Sequence, residues 1–207
     1  DRRAVLWTDE TGACIRYTFG QLKEESDRAA NLFKSLGIRK GDKVMLILRR
    51  HLDFWPILMA LHKLGAVGVP ATHLLTEKDV LYRVDAARIQ MMAISHKDEG
   101  VLRSAEVAMQ KCESLKHVMI LRGQREGFHS YEQEMPLQSP VWDKPTGDAY
   151  PHNHDLLLLY FTSGTTGMPK MAAHSWTYPI AQTVTAYYWH NVGDDSIHMA
   201  VADTGWG

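Results

Sequence analysis

Short apolar runs alternate with segments of helical period through the first 121 residues, and that alternation leaves few architectures open to the chain. Val44-Met45-Leu46-Ile47-Leu48 reads as a buried strand, and Ala66 to Pro70, Met91 to Ile94 and His117 to Leu121 read as further strands. Helices with legible ends separate them. Thr18 with Gln21 three residues on is a capping box; Leu22, Ala29, Ala30, Phe33 and Leu36 follow at helical spacing, and Gly37 stands at the C-terminal stop. Asp53 is placed to cap a second helix, with Pro56 in its first turn and Gly65 at its end. Thr76 with Asp79 opens a third, and Val101 to Cys112 forms a fourth. The expected fold class is α/β, a doubly wound, mostly parallel sheet with flanking helices.

From Arg122 to Asp155 the chain turns polar and irregular. That stretch is long for a loop inside a domain, so it is expected to connect a first α/β subdomain (residues 1–121) to the start of a second (residues 156–207). The second part opens on Leu156-Leu157-Leu158-Leu159-Tyr160-Phe161, a buried strand. A helix is expected from roughly Ser175 to Tyr188, with Pro179 near its start, and a strand from Ile197 to Ala202.

Directly after the Leu156 strand stands Thr162-Ser163-Gly164-Thr165-Thr166-Gly167-Met168-Pro169-Lys170. Its two glycines let the backbone bend and approach closely, so that successive N–H groups can face an anion. Four hydroxyls add donors, and the lysine brings a compact positive charge on a long stem. This combination suits a polyphosphate. It is not the Walker loop G-x-x-x-x-G-K-[ST]: counted from Gly164, the second glycine would fall on Pro169, and Met171 follows Lys170 where a hydroxyl is required.

Composition narrows the partners. Formal net charge is −1, from 23 Lys+Arg against 24 Asp+Glu, which gives no excess to hold nucleic acid or an anionic membrane. The longest apolar stretch, Phe54 to Ala71, is interrupted by His62-Lys63, Gly65 and Gly68 and does not read as a membrane span. Two cysteines, Cys14 and Cys112, make no disulfide framework and fit a reduced compartment. The chain opens on Asp1-Arg2-Arg3 and stops on Trp206-Gly207, so it reads as a portion of a longer protein.

The nine-residue string resembles the phosphate-binding signature of the adenylate-forming (AMP-binding) superfamily. Lys170-Met171-Ala172-Ala173-His174-Ser175 and Ala202-Asp203-Thr204-Gly205-Trp206 are most similar to its acetyl-CoA and medium-chain acyl-CoA synthetase branch. Supporting strings upstream are Tyr17-Thr18-Phe19-Gly20-Gln21-Leu22, Lys40-Gly41-Asp42-Lys43-Val44 and Leu64-Gly65-Ala66-Val67. The resemblance implies an N-terminal part of an enzyme that joins a carboxylate to ATP, giving acyl-AMP and pyrophosphate, and then passes the acyl group to coenzyme A. It implies that Thr162 to Thr166 embrace the β- and γ-phosphates, that Gly164 and Gly167 let the loop move, and that Lys170 adds charge beside them. Trp206 would bound the acyl pocket.

The same resemblance puts the magnesium ligand, the ribose-binding aspartate and the C-terminal lysine beyond Gly207, so no catalytic residue and no metal ligand is assigned within these residues. It implies cytoplasm, or the mitochondrial matrix in a eukaryote. Two other readings stay open: a truncated nucleotide-binding or interaction module without catalysis, and an adenylation domain serving a carrier protein. Asp203-Thr204-Gly205-Trp206 speaks against the latter.

Four other clusters read as structural. His174 reads as a histidine packing or capping at a helix start, with an orienting role near the nucleotide as the alternative. His152-Asn153-His154-Asp155 reads as a solvated linker, because nothing nearby completes a metal-ligand set. Cys112 reads as a small buried apolar residue. Arg49-Arg50-His51 reads as a solvated strand end, although it is also placed to meet a coenzyme A phosphate.

Overall fold

Strand and helix alternate as the apolar runs require. A computed structural model describes residues 1–9, 11–163, 167–194, 196–199 and 202–205. The chain begins with β1 (Arg3–Thr8), β2 (Cys14–Thr18), α1 (Phe19–Ser35), β3 (Lys43–Ile47), α2 (Phe54–Leu64) and β4 (Val67–Pro70). It continues through α3 (Glu77–Ala87), β5 (Ile89–Ser95), α4 (Glu99–Lys111), β6 (His117–Leu121), β7 (His129–Ser130) and α5 (Tyr131–Glu134). It ends with β8 (Leu156–Thr162), β9 (Lys170–Ser175) and α6 (Tyr178–Tyr188).

Seven strands form one sheet in the order β7-β6-β5-β3-β4-β8-β9, parallel throughout except for the antiparallel pair β8–β9. Alternate residues of each strand serve opposite layers. Met45, Ile47, Met92, Ile94, Val118 and Ile120 pack with α3 and α4, through Val80, Val84, Leu102 and Ala105. Their neighbours Val44, Leu46, Met91, Ala93, Met119 and Leu121 pack with α1 and α2, through Leu32, Phe33, Ile57 and Leu61. A strand apolar on both faces is what a sheet covered on both sides needs.

Capping follows the sequence at two helices. Thr18 accepts from the Gln21 N–H and Gln21 accepts from the Thr18 N–H; Thr76 and Asp79 do the same at α3. Asp53 departs from expectation. It stands at the N-terminus of α2 but makes no capping bond, because its carboxylate accepts from Arg122 at 2.9 Å instead.

Two further expectations are corrected. The segment from Lys170 to Ser175 is an edge strand rather than the run-up to a helix, and α6 starts only at Tyr178. β9 pairs with β8 as the last strand of the sheet and leaves Lys170, Met171 and Ala173 exposed. No strand forms among the described residues of 197–202: Ile197 and Met199 stand in solvent with no ladder beside them. The N-terminal hairpin β1–β2 went unread in the sequence. It is a separate two-stranded sheet, tied to the end of β3 by the Trp7 indole N–H donating to the Arg50 carbonyl at 2.7 Å.

The polar stretch 122–155 carries β7 and α5 and delivers β8 to the side of β4, with Gly68 opposite Leu158. Asp155 within it is held by Lys40 at 2.8 Å and accepts the His152 backbone N–H at 2.6 Å. Cys112 is buried, and Cys14 is exposed.

Candidate functional site

In a parallel sheet the loops that leave the carboxyl ends of the strands gather along one edge, where ligands of open α/β sheets bind. Here that edge carries two features, the loop after β8 and a cleft above β3 to β6.

The first is the Thr162–Lys170 loop. Residues Gly164, Thr165 and Thr166 lie outside the described residues, but both shoulders are defined. Thr162 pairs across the hairpin with Lys170, and its hydroxyl donates to the Lys170 carbonyl at a long 3.4 Å. Ser163, Met168 and Lys170 are exposed. Gly167 takes φ +135°, a conformation that a side chain would strain. Pro169 accepts from the Tyr82 hydroxyl of α3 at 3.1 Å.

The loop therefore spans two antiparallel strands, whereas a Walker loop runs into a helix. Among the described residues, the loop is followed at Lys170 by strand β9 and not by a helix N-terminus. His174 lies on β9, its ring between those of Tyr160 (6.0 Å) and Tyr178 (4.2 Å). It packs, as expected, but from a strand.

The second feature is a cleft of about 950 Å³ bounded by the N-terminal hairpin and the loops after β3, β4, β5 and β6. Arg49, Arg50, Lys97 and Arg122 line it, with Asp9 and Asp203 as its carboxylates, so cations outnumber anions. The Arg49-Arg50-His51 cluster is thus part of a wall rather than a solvated strand end. Arg49 Nε donates to the buried Asp98 at 2.6 Å, and His51 Nε2 meets the Ser95 hydroxyl at 2.9 Å. Burial pushes the Asp53 carboxyl up, but His51 and Arg122 outweigh it and hold the group below the usual carboxylate range. No sequence signal marked Lys97, Asp98 or Arg122, which meet the cluster only through parallel strand ends.

Asp203, Thr204 and Gly205 reach this cleft as well. The Thr204 hydroxyl donates to the Arg49 carbonyl at 2.7 Å, and Gly205 lies directly on the Ala71–Thr72 backbone. Trp206 lies outside the described residues.

The AMP-binding enzyme family matches the chain over residues 1–207. This chain belongs to the AMP-binding enzyme family. Among curated AMP-binding relatives, mouse mitochondrial acyl-coenzyme A synthetase ACSM4 is 33% identical over 207 residues, covering 98% of this chain and 34% of the relative. Rat mitochondrial acyl-coenzyme A synthetase ACSM3 is 31% identical over 206 residues, with the same coverage. The chain spans about a third of the length of the curated relatives it matches. The fold is that of a Brucella canis acyl-CoA synthetase, with a TM-score of 0.85 at 19% identity over 99% of this chain and 36% of that one. It is similar also to the anthranilate CoA ligase AuaEII in complex with anthranoyl-AMP, with a TM-score of 0.75 at 24% identity over 84% of this chain and 33% of that one.

Among the described residues of this AMP-binding chain, no group of three or more His, Cys, Asp or Glu side chains is arranged to hold a metal ion. No helix among the described residues is long and apolar enough to cross a membrane.

Proposed function

We propose that the enzyme to which these residues belong is an AMP-forming acyl-CoA synthetase. A carboxylate attacks the α-phosphorus of ATP and expels pyrophosphate; the thiol of coenzyme A then attacks the acyl carbon and expels AMP. The observation that carries this reading is the Thr162–Lys170 loop. It is rich in hydroxyls and glycine and opens at the carboxyl edge of the sheet, on a chain that matches the AMP-binding family along its whole length.

Phosphoryl-centre chemistry asks a protein mainly for positioning and for charge placed where charge develops. Thr162, Ser163, Thr165 and Thr166 supply donors to the β- and γ-phosphates, Gly164 and Gly167 expose backbone N–H groups, and Lys170 neutralises the departing pyrophosphate. Met168 and Pro169 shape the turn. The weak Thr162–Lys170 bond frees that hydroxyl for a phosphate oxygen at little cost.

The loop holds no carboxylate, so the oxygens it could offer to a Mg²⁺ accompanying ATP are hydroxyls and carbonyls, and no step here is assigned to the ion. The cationic cleft suits the second anionic substrate, the phosphorylated nucleotide end of coenzyme A, with Arg50 and Arg122 as the candidate phosphate contacts. Trp206 bounds the acyl pocket. The compartment is the cytoplasm, or the mitochondrial matrix in a eukaryote.

Pyrophosphate exchange over a panel of carboxylates, run on the complete protein, tests the reading. Lys170→Ala should slow adenylate formation on the order of 10²–10³-fold while sparing thioester formation from supplied acyl-AMP, since the β- and γ-phosphates are present only in the first half-reaction. Equal losses in both half-reactions would sink the loop assignment.

A further inference from the structure

Arg49, like Arg122, has its charge committed to a buried carboxylate. Its Nε donates to Asp98 Oδ1 at 2.6 Å, and the Asp98 side chain is only 2% exposed. The other carboxylate oxygen of Asp98 is buried with no hydrogen-bond partner. Arg49 is therefore its charge partner on the side facing the cleft, where loss of the guanidinium would strand a buried anion.

The backbone of Arg49 is also unusual. It takes φ +48°, in the left-handed region that a side chain pays to enter. With Arg49 in that conformation, its carbonyl accepts the Thr204 hydroxyl at 2.7 Å, across 155 positions of sequence. Two more contacts fix the same segment. Gly205 donates its N–H to Asp203 Oδ1 at 2.8 Å, and a Cβ added at Gly205 would lie 2.5 Å from the Thr72 backbone nitrogen. Asp203 itself lines the cleft.

The geometry points to Asp98 and Arg49 as a positioning pair that acts through Thr204 to hold Asp203–Gly205 as a wall of the coenzyme cleft. Arg49 is then a brace for the wall rather than an anion contact. The inference rests on the proposed reading of the cleft as the coenzyme A site. The chain of contacts runs from a buried carboxylate, through a guanidinium and a left-handed backbone, to a hydroxyl on a distant segment. Each member is placed by a different element: Asp98 by the start of α4, Arg49 by the end of β3, and Thr204 by the last described stretch.

The test uses the complete enzyme with Thr204→Val, Thr204→Ser, Asp98→Asn and the double variant T204V/D98N. Three quantities are measured: the KM for coenzyme A and for ATP, direct calorimetric binding of coenzyme A, and hydrogen exchange of the peptide containing Gly205. Thr204→Val should weaken coenzyme A binding about tenfold and speed Gly205 exchange by a similar factor, the equivalent of one lost hydrogen bond. The KM for ATP should stay at its wild-type value, and Thr204→Ser, which keeps the donor, should restore coenzyme binding. Asp98→Asn should give the same pattern, and the double variant should be no worse than the stronger single one, because both break one device.

Accelerated exchange with unchanged coenzyme A binding would overturn the proposal, and so would parallel losses in ATP and coenzyme A kinetics together with a lowered melting temperature. If the wild-type enzyme binds no coenzyme A at all, the reading of the cleft fails. Gly205 exchange in Asp98→Asn then still decides whether the brace exists.

Discussion

The Tyr82 hydroxyl donates to the Pro169 carbonyl at 3.1 Å, while the edge of the same ring rests against Phe161 at 6.3 Å. One side chain of α3 therefore touches the chain just before the Thr162–Lys170 loop opens and again just before it closes. The Arg83 guanidinium lies over the same Phe161 ring at 5.2 Å.

Tyr82→Phe keeps the ring contact and removes the donor. In the complete enzyme the KM for ATP should rise about fivefold, the worth of one ordinary hydrogen bond, with little change in melting temperature. Pyrophosphate exchange measures it. An unchanged KM would mean that Pro169 is held by the β8–β9 hairpin alone.

Asp27 joins the two helices on one face of the sheet. It is buried on α1, and its carboxylate accepts from Lys23 at 2.7 Å and from Lys63 of α2, which also donates to the Ser26 hydroxyl at 2.6 Å. Burial acts to raise its pKa, but the two lysines outweigh it and hold the carboxyl below its usual range. Asp27→Asn should cost about 3 kcal/mol near neutral pH, read by urea unfolding. Because the folded pKa is depressed, that stability is present above the unfolded carboxylate pKa and lost as acid protonates the group. The gap between wild type and variant should therefore close below about pH 4.

His62 titrates in the opposite chemical sense with the same dependence on pH. Burial lowers its pKa from 6.5 to about 4, and its Nε2 is buried with no hydrogen-bond partner. The unfolded chain takes up the proton first, so stability is intact above about pH 6.5 and falls as pH drops toward 4, by roughly 3 kcal/mol over the window. His62→Phe retains a ring against Trp176, which stands 5.7 Å away in the native pair, and should flatten that part of the profile. Thermal melts at half-unit pH steps decide it. A variant that tracks wild type between pH 6.5 and 4 would assign the loss to other groups.

Helix α6 has no buried residue, and Tyr188 and Trp189 at its end are 80% and 82% exposed. With Ile180 and Val184 they make an apolar face of the kind that associates in water. The 207 residues expressed alone should self-associate, and Ile180→Lys combined with Tyr188→Ser should shift the population toward monomer in sedimentation velocity. A monodisperse wild-type chain would refute this.

Much of the architecture was legible because local chemistry dictates it. Thr18 with Gln21 and Thr76 with Asp79 form their capping boxes as read, since a cap needs only residues three apart. The runs at Val44, Met91 and His117 became strands because an apolar segment of that length has to bury both faces. The nine-residue loop was legible as a string, but its setting was not. Whether Lys170–Ser175 becomes a strand depends on the open edge of β8, which no local pattern reports. Asp53 looked like a cap and became the partner of Arg122, because the ends of β3 and β6 bring a guanidinium within 2.9 Å.

The sequence by itself determined the α/β class, the capped starts of α1 and α3, the nine-residue loop and the mismatch with a Walker motif, consequences of patterns within a few residues. Only the tertiary structure decided that β9 runs antiparallel at the sheet edge and that the cations at 49, 50, 97 and 122 share one cleft. It also decided that Arg49 is spoken for by Asp98, and that Thr204 closes on a carbonyl 155 positions away. The physical reason is that parallel strands carry distant loops to a common edge, and the register that aligns them is set by the packed core on both faces of the sheet.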